Sequence, residues 1–498
     1  MAYVIGIDGG TESLRAHVFD LAGTSLGSGV GRYQTDFPAP GRAEQAPMDW
    51  WAALGVAVRA ALAEAQVPAR EIAALCLDTT SCTVVALDET GRPLRPAILW
   101  MDVRAEQEAE AVLATGDAAL ALNGAGHGPI SAEWMIPKAL WLKRHQAALY
   151  RQAATICEYQ DFLMQRLTGR LVASLTNVAM RWHYRKNAGG WPLSLLEALD
   201  LADLFMKWPQ EIVAPGGLVG TLTAEAAAHL ALPCATKVIQ GGADAFIGMI
   251  GLGVAEPGQV ALITGSSHLQ LAVCRHELRV PGLWGSYADV VYPGRHVLEG
   301  GQTSSGSMIA WLDRLLGEGY DLDRLNREAS VIAPGADGLV ALDHFQGNRN
   351  PYTDAASRGA LVGLTLGHGP AHIFRAMIES ICLGTRLILD RMRAAGVPLS
   401  ELIVGGGASR SPLWLQIHAD TANLPVKVAS CTDAPALGSA ILAAVGAGLF
   451  PDVRAGIAAM TTIDRTVTPD PAAAARYDAL LARYVTLYQA LKTWRSAF

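Results

Sequence analysis

The first residues suited to chemistry are Asp8, Thr11 and Ser13, set around two glycines in Tyr3-Val4-Ile5-Gly6-Ile7-Asp8-Gly9-Gly10-Thr11-Glu12-Ser13-Leu14-Arg15-Ala16-His17-Val18-Phe19-Asp20. Gly9 and Gly10 let main-chain N–H groups approach a ligand closely, the two hydroxyls add donors, and Asp8 offers a carboxylate to a hydrated metal. Such a tip suits a polyphosphate with its Mg2+. An apolar run enters the turn and a run of mixed polarity leaves it, the pattern of two strands joined by a tight glycine turn. An ordinary β-hairpin needs no more than this, because short glycine motifs recur by chance.

A second copy changes the weight of the first. Gln259-Val260-Ala261-Leu262-Ile263-Thr264-Gly265-Ser266-Ser267-His268-Leu269-Gln270-Leu271-Ala272-Val273 repeats the plan of apolar strand, Gly-Ser-Ser turn and apolar strand. The chain reads as two halves, each opening with a phosphate-sized hairpin, and two such turns facing one another would grip a nucleotide's phosphates from both sides. Neither turn is a G-x-G-x-x-G or a G-x-x-x-x-G-K-[ST] motif opening a helix, which disfavours a dinucleotide-dependent oxidoreductase and a P-loop enzyme.

Other polar groups follow apolar runs. Ile72 to Asp78 ends in Thr79-Thr80-Ser81-Cys82-Thr83, and carboxyl ends of strands in α/β sheets are where ligands bind. Ala97 to Met101 delivers Asp102 and Arg104, which could hydrogen-bond a polyol or pair with each other. Ser131 to His145 reads as a helix with Pro137 near its start, Trp141 inward and charges outward, and Lys138 at its beginning can point a cation at a ligand. Glu158 to Gly169 reads as a second helix, and Glu44 to Gln66 has apolar residues at helical spacing. In Lys237 to Gly253 an apolar strand, a Gly-Gly turn and a helix of small residues place Asp244 at a helix N-terminus, as cap, catalytic base or both.

The second half contains Glu299-Gly300-Gly301-Gln302 before an amphipathic helix and a polar loop, Leu342 to Asp354, too specific in type for a linker. Leu402 to Gly407 is a strand running into Gly405-Gly406-Gly407-Ala408, where a flat adenine could lie against bare backbone. Asp433-Ala434-Pro435 opens a further small-residue helix. The tail from Pro469 reads as an Ala/Tyr/Leu helix without chemistry.

At 498 residues the chain is long enough for two to four domains of ~150 residues. With 51% hydrophobic and 17% charged residues it can bury large cores and is not disordered, as expected of a soluble α/β protein. A net charge of -7 argues against nucleic acid or an anionic membrane as main partner. Seven scattered cysteines without a C-x-x-C pair suggest neither a disulfide framework nor structural zinc, and fit a reducing cytoplasm. No uninterrupted apolar run reaches the ~18 residues of a membrane span, and no basic leader precedes the first strand.

The residues as a set resemble the FGGY carbohydrate kinases of the actin/hexokinase-like ATPase superfamily. Gly359-Ala360-Leu361-Val362-Gly363-Leu364 with His372-Ile373 and Ala376-Met377-Ile378-Glu379 resembles the family's C-terminal signature, and Pro137-Lys138 with Trp141-Leu142 its N-terminal one, within a similarity running from Val4 to about Gly448. The resemblance implies an α/β chain of two actin/hexokinase-like (ribonuclease H-like) domains flanking a central cleft, divided here as 1–253, with the sugar site and first phosphate hairpin, and 254–498, with the adenosine site and second hairpin. It implies an ATP-dependent carbohydrate kinase. Gly10, Thr11, Glu12, Ser13, Gly265, Ser266 and Ser267 would hold ATP phosphates, Gly405, Gly406, Gly407 and Ala408 the adenosine, Asp8 and Asp244 the Mg2+, and Asp244 would be the general base.

Within the family the motifs look most like ribulokinases, so that Ser81, Lys138, Asp244 and Glu299 would surround a ketopentose. Asp102-Val103-Arg104 is closer to D-ribulose-type kinases, and Gly347-Asn348-Arg349 is shared by pentulose kinases generally. Ser266 stands where threonine is more usual and Ala434 where an acidic residue is common. The expected partner is a small-molecule sugar, without nucleic acid or membrane, with a homodimer left open. Other readings are a kinase for xylulose, erythritol, xylitol or glycerol, and a non-catalytic actin-like sugar- or nucleotide-binding protein.

Overall fold

The computed structural model describes residues 2–123, 130–317 and 320–496. The strand Tyr3–Gly9 pairs antiparallel with Ser13–Phe19, from Val4 opposite Phe19 to Gly9 opposite Leu14. Downstream, Gly258–Thr264 pairs antiparallel with His268–Cys274, from Val260 opposite Ala272 to Thr264 opposite His268. Both expected hairpins are present.

Each hairpin begins a sheet, and the two sheets share one strand order. In the first, Ser25–Arg32, Ser13–Phe19, Tyr3–Gly9, Ile72–Thr79, Lys237–Ala243 and Leu218–Thr221 lie side by side. In the second the order is His296–Gln302, His268–Cys274, Gly258–Thr264, Leu399–Gly406, Val426–Ala429 and Ile463–Val467, with Trp284–Ala288 added outside the first of these. In both sheets the hairpin and its outer neighbour are antiparallel, two strands then run parallel to the hairpin's first strand, and the far edge is antiparallel. Ile72–Thr79 and Leu399–Gly406 are therefore equivalent, and their carboxyl ends set Asp78 and the glycines at 405 and 406 beside the two turns.

In both sheets the last parallel strand leads into a helix: Lys237–Ala243 into Asp244–Gly251, and Val426–Ala429 by a short loop into Ala434–Ala447. These helices meet through their main chains. A Cβ on Gly251 would stand 1.9 Å from the Ala434 carbonyl oxygen, and one on Gly438 2.1 Å from that of Ile247. Ala434–Ala447 also lies on the first sheet, where a Cβ on Gly6 would stand 1.9 Å from the Ala436 carbonyl oxygen. Only glycine permits so close an approach, and the second half's helix is thereby built into the first half.

Several local expectations are corrected. Gly241 and Gly242 form no turn; they belong to the strand Lys237–Ala243, where a Cβ on Gly241 would stand 2.0 Å from the Leu77 carbonyl oxygen. Helix Pro47–Ala65 starts later than its spacing suggested, since Glu44–Gln45 is a short strand paired with Ala97–Ile98. Helix Met135–His145 does not turn all its charges outward, because Lys138 is fully buried. The tail helix Pro471–Arg495 is not a loose appendage: Tyr477, Tyr484 and Tyr488 are buried and bond to Glu379, Asp343 and Asp354. Among the described residues no helix is long and apolar enough to cross a membrane.

Candidate active site

Four carboxylates gather where the two sheets and the two joint helices meet. Asp8 stands near the end of the first strand, Asp78 at the end of its parallel neighbour, Asp244 at the start of helix Asp244–Gly251, and Asp433 at the N-cap of Ala434–Ala447. Burial, then the charges of Asp433 and Asp244, push Asp8 up to about 7. Burial and the neighbouring Asp8 hold Asp78 well above the usual carboxylate range, although Ser439 donates a 2.6 Å hydrogen bond to it. Burial raises Asp244 to about 6, opposed by the hydrogen bond it accepts from the Ala245 N–H at 2.7 Å. Asp433 goes the other way: burial alone would raise it, but His17 and Arg15 outweigh burial and hold it low.

This cluster is short of positive charge, with four carboxylates against Arg15 and His17. Arg15 is its near cation, 3.2 Å from Asp8 and 3.8 Å from Asp433, with a side chain 50% exposed. Asp78 Oδ1 is buried without a hydrogen-bond partner. Among the described residues no three His, Cys, Asp or Glu side chains are arranged to hold an ion by themselves. Crowded carboxylates, an orphaned oxygen and no complete protein cage fit Mg2+, which keeps its waters and is bound through one or two carboxylates plus substrate phosphates. Asp8 and Asp244 are the residues that would face it.

The two turns flank the cluster. Gly10 N–H donates to the Ser13 carbonyl at 3.0 Å, while the Gly10 carbonyl accepts from Tyr33, and Thr11 Oγ1 accepts from Trp100 Nε1 at 3.0 Å. Glu12 is exposed and lines an open cavity of about 610 Å³ with Arg32, Tyr33, Asp49 and Val56. In the second turn Gly265 N–H donates to the Ser267 carbonyl at 2.9 Å, and the Ser266 carbonyl accepts from the Ser305 and Ser307 N–H groups, which seats the turn on helix Gly306–Leu316. Gly265 and Ser266 remain exposed.

The glycines at 405–407 are not equivalent. Gly406 has φ +94°, and a Cβ there would stand 1.9 Å from the Thr264 carbonyl oxygen; a Cβ on Gly405 would stand 2.6 Å from Leu252. Only Gly407 has nothing within 4 Å of an added Cβ. Thr264 Oγ1 ties the segment down, donating to the Gly405 carbonyl at 2.8 Å and accepting from the Ala408 N–H at 3.1 Å. Bare backbone is thus exposed at Gly406 and Gly407, and of the three only Gly407 also has open space for a side chain.

On the other side, Ser81 precedes Cys82, whose φ of +67° is rare outside glycine. Both peptide groups of Cys82 are clamped: its N–H donates to Glu158 Oε2 at 2.8 Å and its carbonyl accepts from Lys138 Nζ at 2.7 Å. Lys138 Nζ also donates to the Leu99 carbonyl at 2.6 Å, and burial lowers its pKa to about 8. Lys138, expected to aim its charge at a ligand, spends two of three donors on main chain and so shapes the loop presenting Ser81. Burial raises Glu158 to about 7, opposed by its bonds from Trp182 Nε1 and Cys82.

Asp102 and Arg104 pair with each other, one of the two alternatives the sequence offered. Asp102 is fully buried and accepts from the Ala43 N–H at 2.7 Å and from Arg104 at 2.6 and 2.8 Å; Arg104, with a side chain 2% exposed, also pairs with Glu44 at 2.6 Å. Their hydrogen-bonding groups tie the 41–45 segment to the 97–104 segment. Glu299 is buried and paired at 2.7 Å with Arg181, a residue the sequence did not single out, while Tyr287 donates to its other oxygen at 3.3 Å. Arg181 sits on helix Leu175–Arg181 of the first half and Glu299 on His296–Gln302 of the second. Arg15, His17 and Asp433 were also missed as a set; the only signal was alternation of charged and apolar residues along Ser13–Phe19.

The comparisons with known proteins agree with this geometry. Residues 3–251 match the N-terminal domain model of the FGGY family of carbohydrate kinases and residues 260–447 its C-terminal domain model. A ribulokinase of Geobacillus thermodenitrificans is 31% identical over 98% of this chain and 94% of that protein, and a ribulokinase of Mycolicibacterium smegmatis 33% identical over 98% and 93%. The xylulose kinase structure from Rhodospirillum rubrum superposes with a TM-score of 0.89 at 27% identity, covering 99% of each chain. Two hairpins at equivalent places in repeated sheets, acids between them, and family models across both halves lead to one conclusion: the chain belongs to the FGGY family of carbohydrate kinases, enzymes that use ATP with Mg2+ to phosphorylate sugars.

Proposed function

We propose that the chain phosphorylates a hydroxyl of a ketopentose, ribulose ahead of xylulose, with Asp244 as general base. The observation that carries the base assignment is Asp244 itself: a carboxylate at a helix N-terminus on the joint between the halves, raised to about 6. A group of that pKa is largely ionised at neutral pH yet basic enough to take a proton from an alcohol as its oxygen becomes nucleophilic. The acceptor hydroxyl donates to Asp244; as its O–P bond forms, the proton passes to the carboxylate and the bond from the γ-phosphorus to the bridging oxygen of ADP breaks. Bound Mg2+ supplies positive charge to the phosphate oxygens. The chain's part is positioning, with main-chain donors of the two turns on the phosphates and the joint fixing Asp244 in line.

Ribulose is placed first because ribulokinases from several bacteria align with nearly the whole chain. Ser81, on its clamped loop, and Glu299, on the second sheet, are the acceptor-side groups in this reading. A coupled ADP-release screen over D- and L-ribulose, D- and L-xylulose, erythritol, xylitol and glycerol tests it. The highest kcat/KM is expected with a ribulose. A higher value with a polyol, or no sugar-dependent ADP release from folded protein, would overturn it.

A further inference from the structure

The acceptor side holds a cation the mechanism does not use. Arg349 lies in the 342–354 loop, and its guanidinium carbon sits 5.0 Å from the centre of the Trp284 ring. The Arg181 guanidinium carbon sits 5.0 Å from the same ring. Arg181 is paired with Glu299, but Arg349, only partly buried, has no hydrogen bond or ion pair among the described residues. Trp284 is 5% exposed, and its Nε1–H is likewise without a partner there. A buried indole N–H without an acceptor is costly, so such a group calls for one.

Strand register puts these groups on the same side as Glu299. Trp284 is the antiparallel partner of Glu299, and directly opposed residues share a face of the sheet. Gly301 is two residues beyond Glu299, hence on that face too, and the Cβ it lacks would lie 3.4 Å from Arg349 Cδ. The loop is held there on purpose-built contacts. Asn350 accepts from the Gly301 N–H at 2.8 Å and donates to the Gly282 carbonyl at 2.7 Å, while Asp354 is tied to Tyr488 at 3.1 Å and Arg495 at 2.6 Å on the tail helix. Arg181 has its carboxylate in Glu299, which leaves Arg349 as the guanidinium with spare N–H donors beside the indole.

We propose that Arg349, with the Trp284 Nε1–H, is a specificity-determining donor pair for an sp2 oxygen of the acceptor: the carbonyl of an open-chain ketose or the carboxylate of a sugar acid. Both accept hydrogen bonds without donating, which matches a pair made of donors; an alcohol must also place its own proton, and neither the Arg349 guanidinium nor the Trp284 indole N–H can accept it. The inference rests on the kinase reading and adds the feature by which the acceptor end is told from a reduced polyol.

The test is kcat/KM of the full-length protein for a pentulose, the corresponding pentonate and the corresponding pentitol, compared between wild type, Arg349→Met and Trp284→Phe. Methionine keeps stacking bulk without N–H groups, and phenylalanine keeps an aromatic face without the indole N–H. The ratio of the better sp2 acceptor to the pentitol is expected to fall by about tenfold or more in Arg349→Met and less in Trp284→Phe, with KM for ATP unchanged. If Arg349→Met does not fold, Trp284→Phe alone decides by the same ratio. A pentonate preferred over the pentulose, with the ratio collapsing in the variants, would keep the inference and remove the ketopentose assignment. A pentulose preference left at the same ratio in both variants would keep that assignment and overturn the inference.

Discussion

Ser439 Oγ donates a 2.6 Å hydrogen bond to Asp78 Oδ2, joining residues 361 positions apart across the seam between the halves. Asp78 is fully buried and Ser439 lies on Ala434–Ala447, the helix that the second half lays upon the first sheet. The bond therefore ties an acid of the site to the joint. In Ser439→Ala both oxygens of Asp78 would lack a side-chain donor, at a cost of about 1–3 kcal/mol, measured by urea unfolding. Because the lost bond favours the charged form, the loss is expected to grow as pH rises; equal losses at pH 5 and pH 8 would show that Asp78 stays protonated throughout.

The raised acids set a direction for stability against pH. Asp8 at about 7 and Asp244 at about 6 lie above their unfolded values near 3.8, so the folded state binds more protons between those limits. Stability of the ligand-free protein should therefore fall as pH rises from about 4 to about 7. MgATP, by neutralising the acids, should raise Tm more at pH 7.5 than at pH 5. A Tm gain independent of pH would place the metal away from these carboxylates.

Asp244→Asn is expected to lower kcat by ~10²-fold or more with little change in either KM, since loss of a base acts on the transition state. In wild type, kcat/KM for the sugar should decline below about pH 6, where Asp244 takes up its proton. The variant should lose that decline. Retained turnover would remove Asp244 from proton transfer.

Gly407→Val and Gly406→Ala separate nucleotide contact from backbone fit. A side chain at 407 meets open space, so that variant should fold normally and bind ATP more weakly, by calorimetry, with sugar binding preserved. A methyl at 406 meets the Thr264 carbonyl oxygen at 1.9 Å with φ at +94°, so that variant should lose stability outright. Normal ATP affinity in Gly407→Val would move the adenine elsewhere.

Glu299→Ala would leave Arg181 buried without its carboxylate, a loss of about 3–5 kcal/mol. The partner change Arg181→Met, made together with Glu299→Ala, should recover much of that loss while sugar KM stays high. Recovery of sugar KM in the double variant would make the pair purely structural.

The hairpins were legible because an apolar run broken by a glycine turn is a local pattern, and each turn lies within fifteen residues of both its strands. The Asp244 helix was legible for the same reason. What was not legible depended on partners far away in sequence. Gly241 and Gly242 looked like a turn because the Leu77 main chain they must admit cannot be seen from position 241. Asp102, Arg104 and Lys138 looked like ligand groups because Ala43, Glu44 and the Cys82 carbonyl, which they bond, are brought in by other segments of the chain. The tail tyrosines looked like filler because their hydroxyls meet Asp343, Asp354 and Glu379 only after the loop before them has folded back.

The glycine contact between Asp244–Gly251 and Ala434–Ala447 has a mechanical consequence. Helices locked by interdigitated side chains resist rotation, since each knob must climb out of its hole. At Gly251 and Gly438 main chain faces main chain with nothing between, so the pair works as a bearing. For a given rotation about it, the swing of any point grows with its distance from the axis. Asp244 and Asp433, at the ends of the bearing itself, would travel least, together with Asp8 and the first hairpin tip beside them, and the outer strands of the two sheets would sweep the longer arc. The acids gathered at the joint would keep their mutual spacing while the edges of the sheets swing.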